Sequence, residues 1–215
     1  MIAAAGFGAA HAWGVAETIT SSPACCTFSK ATFTTDQGEV VTYQNPGGAS
    51  HDVTASSNGP DGKPLFASST IPSGQAPVSG TQYLAAGTYH FFCTVHGPSM
   101  SADLVVTGNG SPVPRPAFAV KILSSKLDKV ASGGKLKLKV TASTESDGIE
   151  LTASKGAKKL GSKQNLDLGA GTSRTLKLRL TRAGRRALKG RASAKINVTG
   201  TVPFGAPAVA KRRLH

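Results

Sequence analysis

The 215-residue chain is poor in the residues that most often bind transition metals. It contains only three cysteines, five histidines and two methionines, one of which is Met1. Because three is an odd number and Cys25 and Cys26 are adjacent, the cysteine count does not decide between an exported and an intracellular protein. The sequence also lacks a run of about 20 apolar residues, the length that a membrane-spanning helix needs. We therefore expect no transmembrane segment.

Aromatic residues make up only 6% of the chain, whereas glycine and proline are plentiful, with 25 and 12 residues. Much of the remainder is valine, threonine, serine and alanine. This balance favours many short strands over long helices. The length is sufficient for one large or two ordinary domains, each with its own core. We expect an all-β protein.

Charge is distributed very unevenly along the sequence. Residues 1–112 hold two Lys and six acidic residues, a net charge of −4, whereas residues 113–215 hold 23 Lys and Arg and five acidic residues, a net charge of +18. A break this sharp predicts two units with different partners. In the basic half, lysines alternate with leucines along expected strands, without the aromatic platforms or recognition helix of nucleic-acid-binding proteins. We therefore expect no nucleic-acid partner.

The pattern of strands and turns divides the chain into five segments. Residues 1–20 are expected to be a signal-peptide remnant or flexible lead-in, and residues 21–107 a β-sandwich or barrel. The segment 108–116, "GNGSPVPRP", reads as a linker because its prolines cannot continue a sheet. Strict alternation predicts a second antiparallel β-sandwich of immunoglobulin-like style in 117–204. Residues 205–215 are expected to be a mobile basic tail.

The N-terminal stretch "MIAAAGFGAAHAWG" resembles part of a secretory signal. It has a short apolar stretch and small residues at Ala10 and Ala12, but it lacks a basic beginning. We interpret the protein as exported and expect it outside the cell, in a periplasm or at the cell surface.

The scarce metal-binding residues are concentrated in "GTYHFFCTVHGPSM", residues 87–100. The alternation of this stretch places His90 on the face opposite Cys93. Cys93, His96 and Met100 offer a thiolate, an imidazole and a thioether, which suit a soft or borderline ion. Two imidazoles and one thiolate with a weak, distant Met form the ligand set of blue copper. The second imidazole is expected from His51 in "NPGGASHDV".

Two other interpretations of this stretch stay open at the level of residues alone. A single cysteine in a strand is most often a small buried hydrophobic residue. Zinc is a further alternative, because one cysteine and two histidines can hold it tetrahedrally, although Met is a poor zinc ligand. The presence of all four donors favours copper over both.

Residues 27–107 resemble a cupredoxin, a type 1 (blue) copper domain of the plastocyanin, amicyanin and pseudoazurin kind. The resemblance rests on "VVTYQN", "SHDV" and "GTYHFFCTVHGPSMSADLVV". It implies a Greek-key β-sandwich that passes single electrons through one copper ion. His51, Cys93 and His96 would be the equatorial ligands, Met100 the axial one, and His96 the surface point for electron entry.

The chain departs from relatives at positions beside these ligands. Three residues separate His96 from Met100, where many relatives have two or four. Val95 stands where several relatives have proline, so its N–H could donate to the Cys93 sulfur. Asp52 stands where relatives often have asparagine, and a carboxylate there would favour Cu(II). We expect Asn45, Asp52 and Val95 to lie around the ligands.

The adjacent pair Cys25 and Cys26 has several interpretations. The two residues could form a disulfide with each other, bridge to another chain, bind a second metal or remain unpaired thiols. An exported chain would not readily keep them free.

We expect a copper-binding electron carrier with a redox protein partner rather than an enzyme. Copper oxidases and nitrite reductases need a second copper site, and five histidines cannot supply it. The alternatives are a copper module for storage, delivery or sensing, and a cell-surface structural protein with an incidental copper domain. The basic half is expected to be either a solvated face or an attachment to an anionic cell-wall or membrane surface.

Overall fold

A computed structural model describes residues 16–215 of the chain. Most of the expected signal segment therefore lies outside the described residues. The chain divides into two compact units. The first runs up to Asn58 and resumes over Pro64–Val113, and the second comprises Gly59–Lys63 and Pro114–His215. No helix in the described part of the chain is long and apolar enough to cross a membrane.

The first unit is a sandwich of two β-sheets. Its strands are β1 (Thr18–Thr20), β2 (Thr32–Gln37), β3 (Thr42–Asn45), β4 (Thr54–Ala55), β5 (Gly74–Pro77), β6 (Gly87–Cys93) and β7 (Gly97–Gly110). One sheet has the order β1-β3-β5 and the other β2-β7-β6-β4. The chain changes sheet at every step from β1 to β6, and only β6 and β7 follow each other within one sheet. These repeated crossings give the connectivity of a Greek-key sandwich.

Aromatic residues fill the space between these two sheets. Phe91 on β6 is fully buried, and its ring lies 4.9 Å from Phe28, 6.1 Å from Phe33 and 6.3 Å from Phe66 between centroids. All three contacts have tilted or edge-on geometry, which aromatic pairs prefer. Cys93 and Met100 belong to the same buried cluster. Two of the candidate ligands, Cys93 and Met100, are therefore part of the packed core of this sandwich.

The second unit is also a sandwich, with seven strands and two short helices. Its elements are β8 (Phe118–Ile122), α1 (Leu127–Gly133), β9 (Lys135–Ala142), β10 (Ser146–Lys155), β11 (Lys158–Leu168), β12 (Ser173–Arg179), α2 (Arg182–Leu188), β13 (Ala194–Val202) and β14 (Gly205–Leu214). The sheets have the orders β12-β9-β8 and β11-β10-β13-β14. Seven strands in a three-stranded and a four-stranded sheet give the expected immunoglobulin-like architecture.

Both sheets of the second unit contribute to one apolar core. Leucines at alternate positions of β9 and β12 point inward, and every lysine between them is exposed. This period of two is what a sheet with one buried and one solvated face requires. The prediction of an all-β chain with two sandwiches is confirmed.

Three segments differ from the sequence-based expectation. Residues 18–20, expected within a lead-in, form β1, which pairs with β3 in parallel and buries Ile19. The expected linker begins later, because β7 continues to Gly110, which pairs with Gln37 of β2. The expected basic tail instead forms β14, which pairs with β13 along its length and buries Leu214. An edge strand tolerates proline and charge on its open side, so composition alone conceals it.

The aromatic core generates a prediction about stability. Replacing Phe91 with alanine should destabilise the first unit by roughly 3–5 kcal/mol, because the cavity forms among three other rings. Val40→Ala is the control, since Val40 is 44% exposed and surface changes are usually within about 0.5 kcal/mol. Urea unfolding followed by circular dichroism measures both. Similar losses in the two variants would contradict this description of the core.

Candidate metal centre

The candidate ligands come from two neighbouring regions of the first unit. His51 is held by a two-way backbone bridge to Ile71, with N–O distances of 3.1 and 3.0 Å. Cys93 is the last residue of β6, and His96 lies in the turn that leads to β7. Met100 lies in β7.

An irregularity in the pairing of β6 with β7 positions Met100. Cys93 pairs with Gly97, but the preceding residue, Phe92, pairs with Ser101. Residues 98–100 are therefore extra on β7 and form a bulge. The bulge accommodates the unusual three-residue gap between His96 and Met100. Met100 is fully buried in the core that contains Cys93.

Three donors converge at this end of the sandwich. The Cys93 sulfur lies 3.8 Å from Nδ1 of His51 and 3.7 Å from Nδ1 of His96. The two imidazole rings are 4.7 Å apart between centroids, and the ligand atoms of all three residues lie within 4.8 Å of one another. The structure therefore brings together His51, Cys93 and His96, as the sequence predicted.

These separations fit a transition-metal ion between the donors. Metal bonds of about 2.3 Å to sulfur and about 2.0 Å to nitrogen, at a trigonal angle, place sulfur and nitrogen about 3.7 Å apart. The observed distances of 3.8 and 3.7 Å match this value without rearrangement. A buried thioether near a His₂Cys set is the type 1 copper combination. The donor set thus fits one type 1 copper ion better than zinc, for which Met is a poor ligand.

Burial keeps the His51 imidazole in the neutral form that binds metals, because it lowers the pKa of this residue. Both His51 and Cys93 are almost completely buried, whereas His96 is half-buried. Burial, and secondarily the neighbouring His96, lower the pKa of His51, an effect that Asp52 partly opposes. Because the neutral imidazole is the form that binds metals, a lowered pKa keeps that form dominant at neutral pH.

Asn45 fastens the loop that precedes His51. The buried Asn45 amide donates to the carbonyls of Ala49, at 2.7 Å, and Ile71, at 2.8 Å. Its side-chain oxygen accepts from Gly47 N, at 3.1 Å. Ile71 is the bridge partner of His51. The Asn45 side chain therefore holds both the loop before His51 and the segment that pairs with His51.

Two further hydrogen bonds link Asn45 to Ser21 and Ser21 to Tyr43. Tyr43 donates to Ser21 Oγ at 3.2 Å, and Ser21 donates to the Asn45 side-chain oxygen at 3.2 Å. Burial raises the pKa of Tyr43 to about 12, so the phenol remains a donor at neutral pH. Tyr43, Ser21 and Asn45 each have a hydrogen-bond partner, which a buried polar network requires.

Asp52 joins the two ligand-bearing regions. Its buried carboxylate accepts hydrogen bonds from Thr94 N, at 2.8 Å, and from the Thr94 hydroxyl. It also accepts from the hydroxyls of Thr70, at 2.8 Å, and Thr54, at 3.3 Å. Asp52 follows His51 and Thr94 follows Cys93, so this carboxylate fixes the spacing of the two ligands.

The three threonines around Asp52 were not identified from the sequence. They come from separate segments, and threonine is common throughout the chain. The one signal in the sequence that could have indicated this network is Thr94, which directly follows the candidate ligand Cys93. Their role could be recognised only once the fold had placed them around one carboxylate.

The remaining candidate residues lie around the centre or away from it. His90 is exposed and its Nδ1 lies 2.9 Å from Asp103, on the face opposite Cys93, as expected. Val95 is exposed in the turn before His96, and its bond to the Cys93 sulfur stays a prediction. Cys25 and Cys26 form a disulfide with each other.

Comparison with known proteins finds similarity only among solved structures. No protein-family model and no curated protein matches the chain. One similar structure is auracyanin A, a "blue" copper protein from the green thermophilic photosynthetic bacterium Chloroflexus aurantiacus. It is 23% identical, with 43% of this chain and 98% of that chain covered and a TM-score of 0.37.

Amicyanin structures are also similar. A variant of amicyanin in its Cu(I) form is 24% identical, with 42% of this chain and 81% of that chain covered and a TM-score of 0.35. An oxidised amicyanin variant is 23% identical over the same shares, also with a TM-score of 0.35.

The geometry predicts different roles for His51, which faces Cys93, and His90, which faces Asp103. His51→Ala should weaken Cu(II) binding by more than about 100-fold, which is beyond the 10–100-fold typical of losing an outer partner of a ligand. His90→Ala is the matched control and should bind Cu(II) like the unmodified protein. Competition titration against a chromophoric chelator measures both affinities. A larger effect at His90 than at His51 would show that the ligand assignment is wrong.

Proposed function

We propose that this protein is an exported electron carrier, in which His51, Cys93, His96 and Met100 hold one type 1 copper ion. The observation that carries the proposal is the buried convergence of two imidazoles on one thiol, at separations that a metal ion fits. Copper bound there would supply one-electron redox chemistry. A partner redox protein would donate or accept the electron.

The surrounding residues keep the ligands in place irrespective of oxidation state. Asn45 fixes the backbone of His51, and Asp52 ties that segment to the residue after Cys93. Cys93 and Met100 are fully enclosed by the core. Ligands that do not move keep the reorganisation energy of electron transfer low. This rigidity favours a carrier.

His96 is the residue through which we propose electrons enter and leave. It is half-buried, whereas the other two donors are almost completely buried. Its imidazole therefore extends from the centre toward the surface, where a partner protein can approach it.

A carrier is favoured over an enzyme by the shortage of further ligands. Within residues 16–215, the two groups of potential His, Cys, Asp and Glu ligands both include His96. An independent second copper centre of the kind that copper enzymes use is therefore not expected. A copper module for storage, delivery or sensing is the alternative, as is a cell-surface structural protein with an incidental copper domain.

Adding Cu(II) to the metal-free protein tests the proposal. We expect an intense visible band from thiolate-to-copper charge transfer, and we expect Cys93→Ser to abolish it. The loaded protein should also give a reversible one-electron wave in voltammetry. His90→Ala is the control, because its ring nitrogen lies against Asp103 on the face opposite Cys93 and not beside a ligand atom.

The same experiment separates the carrier from the alternatives. A colourless, folded protein would refute the copper centre. A blue protein that passes copper to a metal-free acceptor faster than it exchanges electrons would instead favour storage or delivery.

The second unit offers a surface for attachment. The outer face of the sheet β12-β9-β8 places exposed cations directly opposite one another across strands. The opposed pairs are Lys121 with Lys139, Lys137 with Lys177, and Lys135 with Arg179. Like charges directly opposite on a sheet are destabilising. No acidic residue occurs in the three strands to offset them.

We propose that this cationic face attaches the protein to an anionic lipid surface. A sheet face is broad and open, so it suits a planar array of headgroups better than a single small ligand. Each cation near an anionic membrane contributes about 1 kcal/mol. Six of them would hold the protein at low and moderate salt.

Neutralising two of these lysines should have opposite effects on binding and stability. Lys137→Ala with Lys139→Ala should weaken binding to anionic phospholipid vesicles by roughly 30-fold, corresponding to about 2 kcal/mol. The same variant should unfold at slightly higher urea, because repulsion across the strands is relieved. Vesicle sedimentation at several salt concentrations measures the first effect.

Lys158→Ala with Lys163→Ala is the matched control, since both residues lie on β11 of the other sheet. It removes the same net charge, but it should change vesicle binding by no more than about twofold, because charges far from the membrane are screened by salt. Equal weakening by both pairs would leave only a diffuse charge effect and refute attachment through this face. Binding to an acidic cell-wall polymer but not to vesicles would also refute the lipid surface.

A further inference from the structure

A second group of metal-binding side chains lies beside the proposed copper centre. The sulfur atoms of Cys25 and Cys26 and a ring nitrogen of His96 lie within 4.8 Å of one another. His96 therefore belongs both to this outer group and to the inner group with His51 and Cys93. The inner two residues are buried, whereas Cys25 is exposed and His96 is half-buried. The outer group is the more accessible of the two.

The cysteine pair is held firmly against the first unit. Its loop is closed by a bridge between Ser21 and Phe28 and by a hydrogen bond from Ser22 N to the Thr27 carbonyl, at 2.8 Å. Phe28, two residues after Cys26, is buried against Phe91. The approach of the pair to His96 is therefore built into the fold.

The backbone at the pair is also unusual. Cys25 and Cys26 have φ angles of 69° and 70°, in the left-handed region that residues other than glycine rarely adopt. Two consecutive residues in this region persist only where surrounding structure holds them. With the backbone in this conformation, both sulfurs lie within 4.8 Å of a ring nitrogen of His96.

We propose that Cys25, Cys26 and His96 form an entry site for one Cu(I) ion when the disulfide is reduced. Cu(I) is a soft ion that thiolates select, and an imidazole completes a three-donor set. In the disulfide the two sulfurs are bonded to each other and cannot act as thiolates. The disulfide recorded in the structure is the closed form of this site.

Opening the site needs a thiol reductant. Two molecules of a small thiol reduce the pair by exchange through a mixed disulfide. The Cys25–Cys26 bond breaks, one disulfide forms between the two reductant sulfurs, and two electrons and two protons pass to the cysteines. Both thiol protons are released when the two sulfurs bind Cu(I) as thiolates.

The shared imidazole connects the entry site to the inner centre. His96 Nδ1 lies 3.7 Å from the Cys93 sulfur, and a ring nitrogen of the same residue lies within 4.8 Å of the Cys25 and Cys26 sulfurs. An ion held by the outer group can exchange its two outer thiolates for Cys93 and His51 while it stays beside His96. No change of oxidation state is involved. This transfer rests on the proposed copper function, whereas the outer site itself does not.

The outer site is tested in a Cys93→Ser variant of the full chain, in which the inner thiolate is absent. The protein is titrated with Cu(I) without oxygen against a chromophoric Cu(I) chelator, once as the disulfide and once after reduction and removal of the reductant. We expect reduction to increase uptake by one equivalent. Adding Cys25→Ser and Cys26→Ser should abolish this increase.

The contribution of His96 is tested in the same background. His96→Ala should weaken binding of the additional equivalent by at least about tenfold, as expected for loss of a ligand, and the matched His90→Ala should not. If Cys93→Ser does not fold, Cys93→Ala takes its place, because alanine also removes the inner thiolate and leaves His96 free for the outer group.

Two results would overturn the outer site. One is equal Cu(I) uptake by the disulfide and the reduced pair. The other is an additional equivalent that binds as tightly without His96, because the pair would then bind copper as any exposed dithiol does. Neither result depends on a blue band at the inner centre, so failure of this site and failure of the proposed copper function are distinguishable.

Discussion

The candidate copper centre depends on one buried carboxylate. Asp52 accepts hydrogen bonds from three threonines in three separate segments, including both the backbone N–H and the hydroxyl of Thr94. A buried carboxylate is costly unless its oxygens are satisfied, so these segments assemble around it in one arrangement. Because Asp52 follows His51 and Thr94 follows Cys93, that arrangement also sets the ligand spacing. The metal-binding geometry is thus a consequence of satisfying an adjacent charge.

The ligands themselves were predictable because they are rare. Cysteine, histidine and methionine are scarce in this chain, so Cys93, His96 and Met100 at close spacing indicate chemistry rather than packing. Alternation of apolar and polar residues likewise predicted two β-sandwiches, which the sheet orders confirm. Both signals are local, and local patterns are what a single sequence displays most directly.

The unpredicted features all depend on contacts between distant segments. Nothing in the spacing of Cys26 and His96, 70 positions apart, indicates that the fold brings them together. The bulge at residues 98–100 follows from the pairing of two strands and not from a turn signature. The basic tail forms β14 because β13 offers it an edge, although its composition is typical of a mobile terminus. Tertiary pairing overrides composition in each case.

The central claim is that a fixed set of one thiolate and two imidazoles holds a single copper ion. X-ray absorption at the copper edge, recorded on the loaded protein in both oxidation states, tests it most directly. We predict one short copper–sulfur distance and two copper–nitrogen distances, nearly unchanged between Cu(II) and Cu(I). A first shell without a short sulfur, or a change in ligand number on reduction, would contradict the account.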